Sequence, residues 1–297
     1  MEDIVEIRGL EKSYRDVSVL KHINCAIGAN KIYGFLGRNG AGKTTLMKML
    51  CGQLLPTQGE LKVFGEKPYE NRRVLSQICF IKESQKYPDV FKVKDVLDIS
   101  ESIFPNWDKE YAYSLIEEFQ LPLKRRVKAL SRGMTSSVGI VIGLASRAPL
   151  TIFDEPYLGL DAVARSVFYD RLIEDYSEYP RTIVLSTHLI DEVSKILEHV
   201  ILIEQGEILW DEDAEKLRGK AFKIIGDKAV VEAFASGKEV IDRETLGGMA
   251  SLTISDGLSK EERQKAETVG IQIEPLSLQQ FVVQLTQYKR NKGGVSS

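Results

Sequence analysis

Residues Gly37 to Thr45 read Gly-Arg-Asn-Gly-Ala-Gly-Lys-Thr-Thr, and no other run in the 297-residue chain restricts its folding as strongly. An apolar, β-prone segment, Lys31-Ile-Tyr-Gly-Phe-Leu36, precedes it. Leu46-Met-Lys-Met-Leu50, with helical spacing, follows. The glycines therefore fall at a strand-to-helix turn, the context a phosphate-binding loop requires. Gly37, Gly40 and Gly42 let the backbone wrap closely around a polyphosphate, and Arg38, Asn39, Ala41 and Thr45 complete the cradle. Its N–H groups point outward at a helix N-terminus, where anions are stabilised. Lys43 is placed to reach the β- and γ-phosphates, and the Thr44 hydroxyl to serve a Mg²⁺ ion that takes its other ligands from phosphate oxygens and water.

The length exceeds what one hydrophobic core usually holds, which favours a large domain with an appendage or two domains. A net charge of −3 and a pI near 5.8 give no general basic footprint, so nucleic acid is not expected as a partner. Cys25, Cys51 and Cys79 are odd in number and widely spaced, which fits a reducing cytosol better than a disulfide framework or a zinc knuckle. The acidic, strand-like start and the lack of a membrane-length apolar run imply that any membrane role comes through a partner.

Residues 3–8, 19–27 and 60–64 read as strands of an antiparallel sheet, with Tyr14 in the loop between the first two. Helical patterns dominate 94–146. From Leu150 the chain alternates strand, helix and strand again, which predicts a parallel sheet with crossover helices. A hairpin is expected over 200–209, and the charged stretch Asp211 to Lys220 marks a domain boundary. Beyond it the order β-α-β-β-α-β-α predicts a small split-βαβ module over residues 218–297. That module has no catalytic cluster, and regulation or dimerisation is its reading. Its Leu276, Leu278, Phe281, Val282 and Leu285 read as a helix packed on the small sheet.

Further candidate residues recur in a fixed order. Leu150-Thr-Ile-Phe-Asp154-Glu155-Pro156 is an apolar strand delivering two carboxylates at its C-terminal end, where open α/β sheets place ligands. Asp154 suits the metal and Glu155 the water that attacks the γ-phosphate. His188 stands just beyond the next strand. Ser131 and Gly133, in Leu130-Ser-Arg-Gly-Met134, open a long helix and offer a second anion site. Leu158-Gly-Leu-Asp161 lies between Glu155 and His188.

That ordered set resembles the ATP-binding subunits of ABC transporters over residues 4–210 or so. The resemblance implies a P-loop ATPase core with an antiparallel β subdomain and a helical subdomain at about 84–147, all within residues 1–217. A small C-terminal α+β module completes the α/β chain. It further implies that Tyr14 stacks on adenine, that Asp154 and Glu155 are the Walker B pair, and that His188 is the switch histidine. Leu130 to Met134 matches the signature motif, and Leu158 to Asp161 the D-loop. In that family two subunits close head to tail, so Ser131, Gly133 and Asp161 serve the ATP held by Lys43 of a second ATP-binding subunit. The family's glutamine beside Mg²⁺ corresponds here to Glu83 by position or to Gln85 by residue type. Arg132, Met134 and Arg38 also depart from the usual pattern. The implied activity is hydrolysis of ATP, with Mg²⁺, to drive a transmembrane permease from the inner face of the cell membrane. Tyr87, Pro88, Val90, Phe91, Phe104 and Trp107 are candidates for the permease contact. A narrower likeness, to bacterial exporter ATPases encoded beside a GntR-type regulator, implies export of antimicrobial or amphipathic compounds. The competing classes are a soluble ABC ATPase acting on a macromolecule and an ATP-dependent regulatory switch.

Overall fold

The computed structural model describes residues 3–82, 85–218 and 220–293. In chain order the elements begin with β1 (Asp3–Tyr14), β2 (Val17–Gly28), β3 (Ile32–Leu36), α1 (Lys43–Leu50), β4 (Gln58–Val63), α2 (Arg72–Leu75) and β5 (Ile78–Ile81). The helices α3 (Val93–Ile103), α4 (Lys109–Glu118) and α5 (Arg132–Ala145) follow. Then come β6 (Leu150–Asp154), α6 (Ala162–Glu178), β7 (Thr182–Thr187), α7 (Ile190–Val193), β8 (His199–Glu204) and β9 (Glu207–Asp213). The chain closes with α8 (Ala214–Arg218), β10 (Phe222–Asp227), α9 (Lys228–Phe234), β11 (Val240–Leu246), β12 (Met249–Ile254), α10 (Lys260–Thr268), β13 (Gln272–Pro275) and α11 (Leu278–Gly293). Contacts divide these into two units, Met1–His188 with Ile196–Asp211, and Leu189–Lys195 with Glu212–Ser297.

The first unit is built on a six-stranded sheet in the order β5-β6-β7-β3-β8-β9, with parallel pairing from β5 through β8. Every residue of β3, β6 and β7 is buried, as expected of parallel strands covered on both faces. A three-stranded antiparallel sheet, β2-β1-β4, shares a core with this sheet and α1, in which Leu46, Met47, Met49 and Leu50 are fully buried. Tyr14 is the last residue of β1 rather than a loop residue, because pairing continues to Tyr14–Val17 before Arg15 turns the chain at φ +51°. The expected hairpin forms between β8 and β9, where Gln205 and Gly206 both take positive φ, as tight two-residue turns require.

The second unit contains a four-stranded sheet ordered β11-β12-β10-β13, antiparallel at every pairing. Phe222, Ile224, Leu252 and Ile254 form its core with Val231 of α9 and Ala266 of α10. Leu278, Phe281, Val282 and Leu285 of α11 are buried, and this helix packs on both β11 and α7. Asp191 of α7 accepts from the Gln279 N–H at 3.3 Å and the Ser277 hydroxyl at 3.4 Å. The short segment after His188 thus belongs by contact to the second unit, an arrangement the sequence pattern did not suggest.

Candidate functional site

Adjacent parallel strands β6, β7 and β3 bring the candidate residues together. Their registers align Asp154 with Ser186 and Leu36 with Thr187, so the loop after β3, the carboxylates after β6 and His188 after β7 leave the sheet at the same edge. This is where open α/β sheets bind ligands.

Two glycines of the loop are demanded by geometry. Gly37 has φ +144°, and a Cβ there would lie 2.1 Å from the Ile203 carbonyl; Gly42 has φ +111°, and its Cβ would fall 2.6 Å from Leu20. Gly42 is the N-cap of α1 and supplies no side-chain cap, and no acidic residue stands in the first turn. The positive end of the helix is therefore not neutralised locally. Lys43 is buried, with its Nζ donating to the carbonyls of Gly37 at 2.6 Å and Arg38 at 3.2 Å. Burial lowers its pKa from the ordinary value, against the opposing pull of Glu155, Asp154 and Glu204.

The Thr44 hydroxyl donates to Asp154 Oδ2 at 2.8 Å. Asp154 is 3% exposed, and its Oδ1 has no hydrogen-bond partner among the described residues. A buried carboxylate oxygen without a donor, next to a hydroxyl, is a fitting donor set for a hard divalent cation such as Mg²⁺. Glu155 takes φ +50°, and its N–H bonds to the Ser186 carbonyl at 3.0 Å. This bend turns the side chain back over the sheet edge, where Oε2 lies 2.9 Å from His188 Nδ1. Glu155 Oε1 is buried and likewise without a partner among the described residues.

One contributor escaped the sequence reading. Tyr157, 3% exposed, bonds through its hydroxyl to Glu155 Oε2, to the Thr187 hydroxyl at 2.9 Å and to the His188 N–H at 3.2 Å, and lies 3.1 Å from His188 Nδ1. The only signal in the sequence was its place two residues after Glu155.

The remaining candidates lie elsewhere. Ser131 caps α5 by accepting from the Met134 N–H at 3.1 Å, and Ser136 donates to the Leu158 carbonyl at 2.8 Å. Gly133 packs so closely on the Leu158–Asp161 loop that a Cβ would sit 2.3 Å from the Gly159 carbonyl. Asp161 caps α6, accepting from the Ala164 N–H at 2.8 Å. Tyr14 is 45% exposed, with Lys12 Nζ 5.1 Å from its ring centroid. Gln85 lines an apolar groove that also includes Tyr87, Phe91, Ile99, Ile103 and Phe104, and Glu83 lies outside the described residues.

A phosphate loop between strand and helix, facing two strand-end carboxylates, defines a P-loop nucleotide-binding enzyme. A family model described as ABC transporter matches residues 20–158. The bacitracin transport ATP-binding protein BcrA of Bacillus licheniformis is 32% identical over 229 residues, which cover 76% of this chain and 74% of that protein. A solved ATP-binding subunit of an ABC transporter aligns with a TM-score of 0.66 at 24% identity, covering 72% of this chain and 92% of that one. A dimeric ATP-binding cassette in a post-hydrolysis state, bound to ADP and Pi, aligns with a TM-score of 0.63 at 20% identity, over 71% of this chain and 98% of that one. The chain belongs to the ABC transporter family, as an ATP-binding subunit and an ATPase.

Proposed function

We propose that two ATP-binding subunits, each holding Mg²⁺-ATP at its Lys43 loop, close head to tail and drive a separate permease at the inner face of the cell membrane. The observation that carries this reading is the convergence of Lys43, Thr44, Asp154, Glu155 and His188 at one sheet edge. The loop amides of Gly40 to Thr45 and the Lys43 ammonium bind the phosphates. Thr44 and Asp154 hold the ion, which when bound neutralises charge on the β- and γ-phosphates. Glu155 orients the attacking water through its unoccupied oxygen, and His188 faces the transferred phosphoryl group. Ser131 and Gly133 complete the second subunit's site, and Tyr14 stacks on the adenine. The glutamine role beside the metal falls to Glu83 or Gln85.

Among the described residues no helix is long and apolar enough to cross a membrane. Coupling therefore runs through a docking surface, and the groove beside Gln85 suits it. Val90 is 70% exposed and Ile103 54% exposed near a groove of about 260 Å³ whose lining is mostly apolar. The likeness to a bacitracin transport subunit supports an antimicrobial or amphipathic cargo moved outward. The domain reading that goes with this function is an ATPase domain over 1–217 and a regulatory or dimerising module over 218–297.

The test is the size of purified Glu155→Gln protein with and without Mg²⁺-ATP. The variant is expected to bind ATP, to hydrolyse it about 10²–10⁴-fold more slowly, and to dimerise only with nucleotide. A variant that turns over normally would overturn the role given to Glu155. One that binds ATP and stays monomeric would overturn closure between two copies of this chain alone and point to a different partner ATPase or an obligatory permease.

A further inference from the structure

The Tyr157 hydroxyl is where four polar groups of the site meet, although it carries no chemistry in the reading above. We propose that Tyr157 is a positioning residue for ATP hydrolysis, anchoring Glu155 by Oε2 so that Oε1 is the oxygen presented to water, with His188 held as the tautomer protonated on Nδ1. The inference rests on the assignment of Glu155 as the carboxylate that handles the attacking water.

A count of protons leads to this arrangement. A phenol has one proton to give and two lone pairs to receive with. Thr187 Oγ1 donates to Tyr157 at 2.9 Å and the His188 backbone N–H at 3.2 Å, which occupies both lone pairs. The phenolic proton then has two destinations, Glu155 Oε2 and His188 Nδ1. If it went to Nδ1, then Oε2 would face two lone-pair atoms at hydrogen-bonding range, one of them Nδ1 at 2.9 Å, with no proton in either gap. That is an expensive arrangement in a buried site. If it goes to Oε2, Nδ1 must carry its own proton and donate to the same oxygen. Both contacts of Oε2 then carry a proton, and the 3.1 Å approach of Nδ1 to the phenol oxygen is the one left without a hydrogen bond of its own. Burial and the neighbouring Glu155 push the Tyr157 phenol well above its ordinary value, so it keeps its proton.

The carboxylate is thereby divided. Oε2 receives two donors, while Oε1 is buried and has none among the described residues. The ring is held as well, since Tyr157 meets the His188 imidazole edge to face at 5.8 Å between centroids. The turn that places Tyr157 is short, with the Leu158 N–H bonding to the Glu155 carbonyl at 3.2 Å and the Leu160 N–H to the Tyr157 carbonyl at 3.0 Å.

Tyr157→Phe removes one O–H and keeps the buried ring. Steady-state hydrolysis by the purified full chain is expected to show kcat reduced about 10-fold with KM for ATP unchanged, the pattern of a loosened base rather than of lost binding. An unchanged kcat, or a rise in KM alone, overturns the proposal. Glu155→Gln is measured beside it. If that variant is slowed while Tyr157→Phe matches the wild type, the inference about Tyr157 fails alone. If Glu155→Gln itself turns over normally, the underlying role of Glu155 fails. A second measurement uses the unaltered protein. Its three histidines can be assigned by single substitution, and the ¹⁵N shifts of neutral His188 should report a proton on Nδ1. A proton on Nε2 overturns the proposal.

Discussion

Asp175 gives a prediction whose size follows from its surroundings. It lies on α6 with its side chain 2% exposed, 2.7 Å from Arg181 Nη1 and 3.2 Å from Arg147 Nη2. Arg147 has a second carboxylate, Asp108, at 2.8 Å, and stacks on the Tyr179 ring at 3.4 Å, so it survives the loss of Asp175 with a partner. Arg181 does not. Its side chain is 4% exposed, and its other contacts in this network are the carbonyls of Tyr179 at 3.2 Å and Leu144 at 3.4 Å. A guanidinium cannot shed its proton, so Asp175→Asn leaves a buried charge without its counter-charge, which costs about 3–5 kcal/mol. At roughly 2–4 °C per kcal/mol for a unit of this size, the melting temperature should fall by roughly 6–20 °C. Nucleotide affinity of the folded protein should stay the same, because among the described residues Lys43 bonds to the Gly37 and Arg38 carbonyls and no ion pair or hydrogen bond joins it to this cluster. Calorimetry and equilibrium nucleotide binding provide the assay. Asp175→Leu combined with Arg181→Met should recover most of the loss, since the pair is then replaced rather than broken. A melting temperature within 2 °C of wild type for Asp175→Asn would refute the reasoning.

Gly133→Ala should lower stability even though Ala is the better helix former by about 1 kcal/mol, because its Cβ would meet the Gly159 carbonyl at 2.3 Å. A relaxed C···O contact needs about 3.3 Å, so the two segments must part by about 1 Å, and hydrolysis should fall about 100-fold. A more stable and fully active variant would contradict this. Lys43→Ala should abolish ATP binding, and unchanged affinity in a fluorescent-nucleotide titration would count against the loop assignment. Burial pushes the Cys79 thiol up from 9.0 to about 12. The unfolded chain therefore loses this proton first, so the associated stability is intact below about pH 9 and is lost progressively toward pH 12. The limiting slope is about 1.4 kcal/mol per pH unit. Denaturant titrations across that range should show a shallower decline for Cys79→Ala than for wild type.

The parts of this molecule legible from sequence are those encoded in short runs. The phosphate loop announced both its ligand and the strand and helix on either side. The accessory order β-α-β-β-α-β-α was readable because Gly, Asp and Ser punctuate each change of period, as Asp227 and Ser259 do in capping α9 and α10. What stayed hidden depends on neighbours distant in the chain. Nothing local to Tyr157 states that its hydroxyl meets Thr187 and His188, 30 and 31 residues on, since that meeting is created by β6 lying beside β7. The same holds for Asp191, whose attachment to Ser277 and Gln279 spans 86 and 88 residues. Tyr14 was misplaced into a loop because strand ends are fixed by pairing partners rather than by the residue itself.

The left-handed backbone at Glu155, φ +50°, sets chemistry against durability at one position. A side chain other than Gly or Asn in that region carries a penalty of about 1–2 kcal/mol. A random library selected only for survival on heating would therefore enrich Gly or Asn at this position. On the role proposed for Glu155, its most durable members would hold their nucleotide without hydrolysing it.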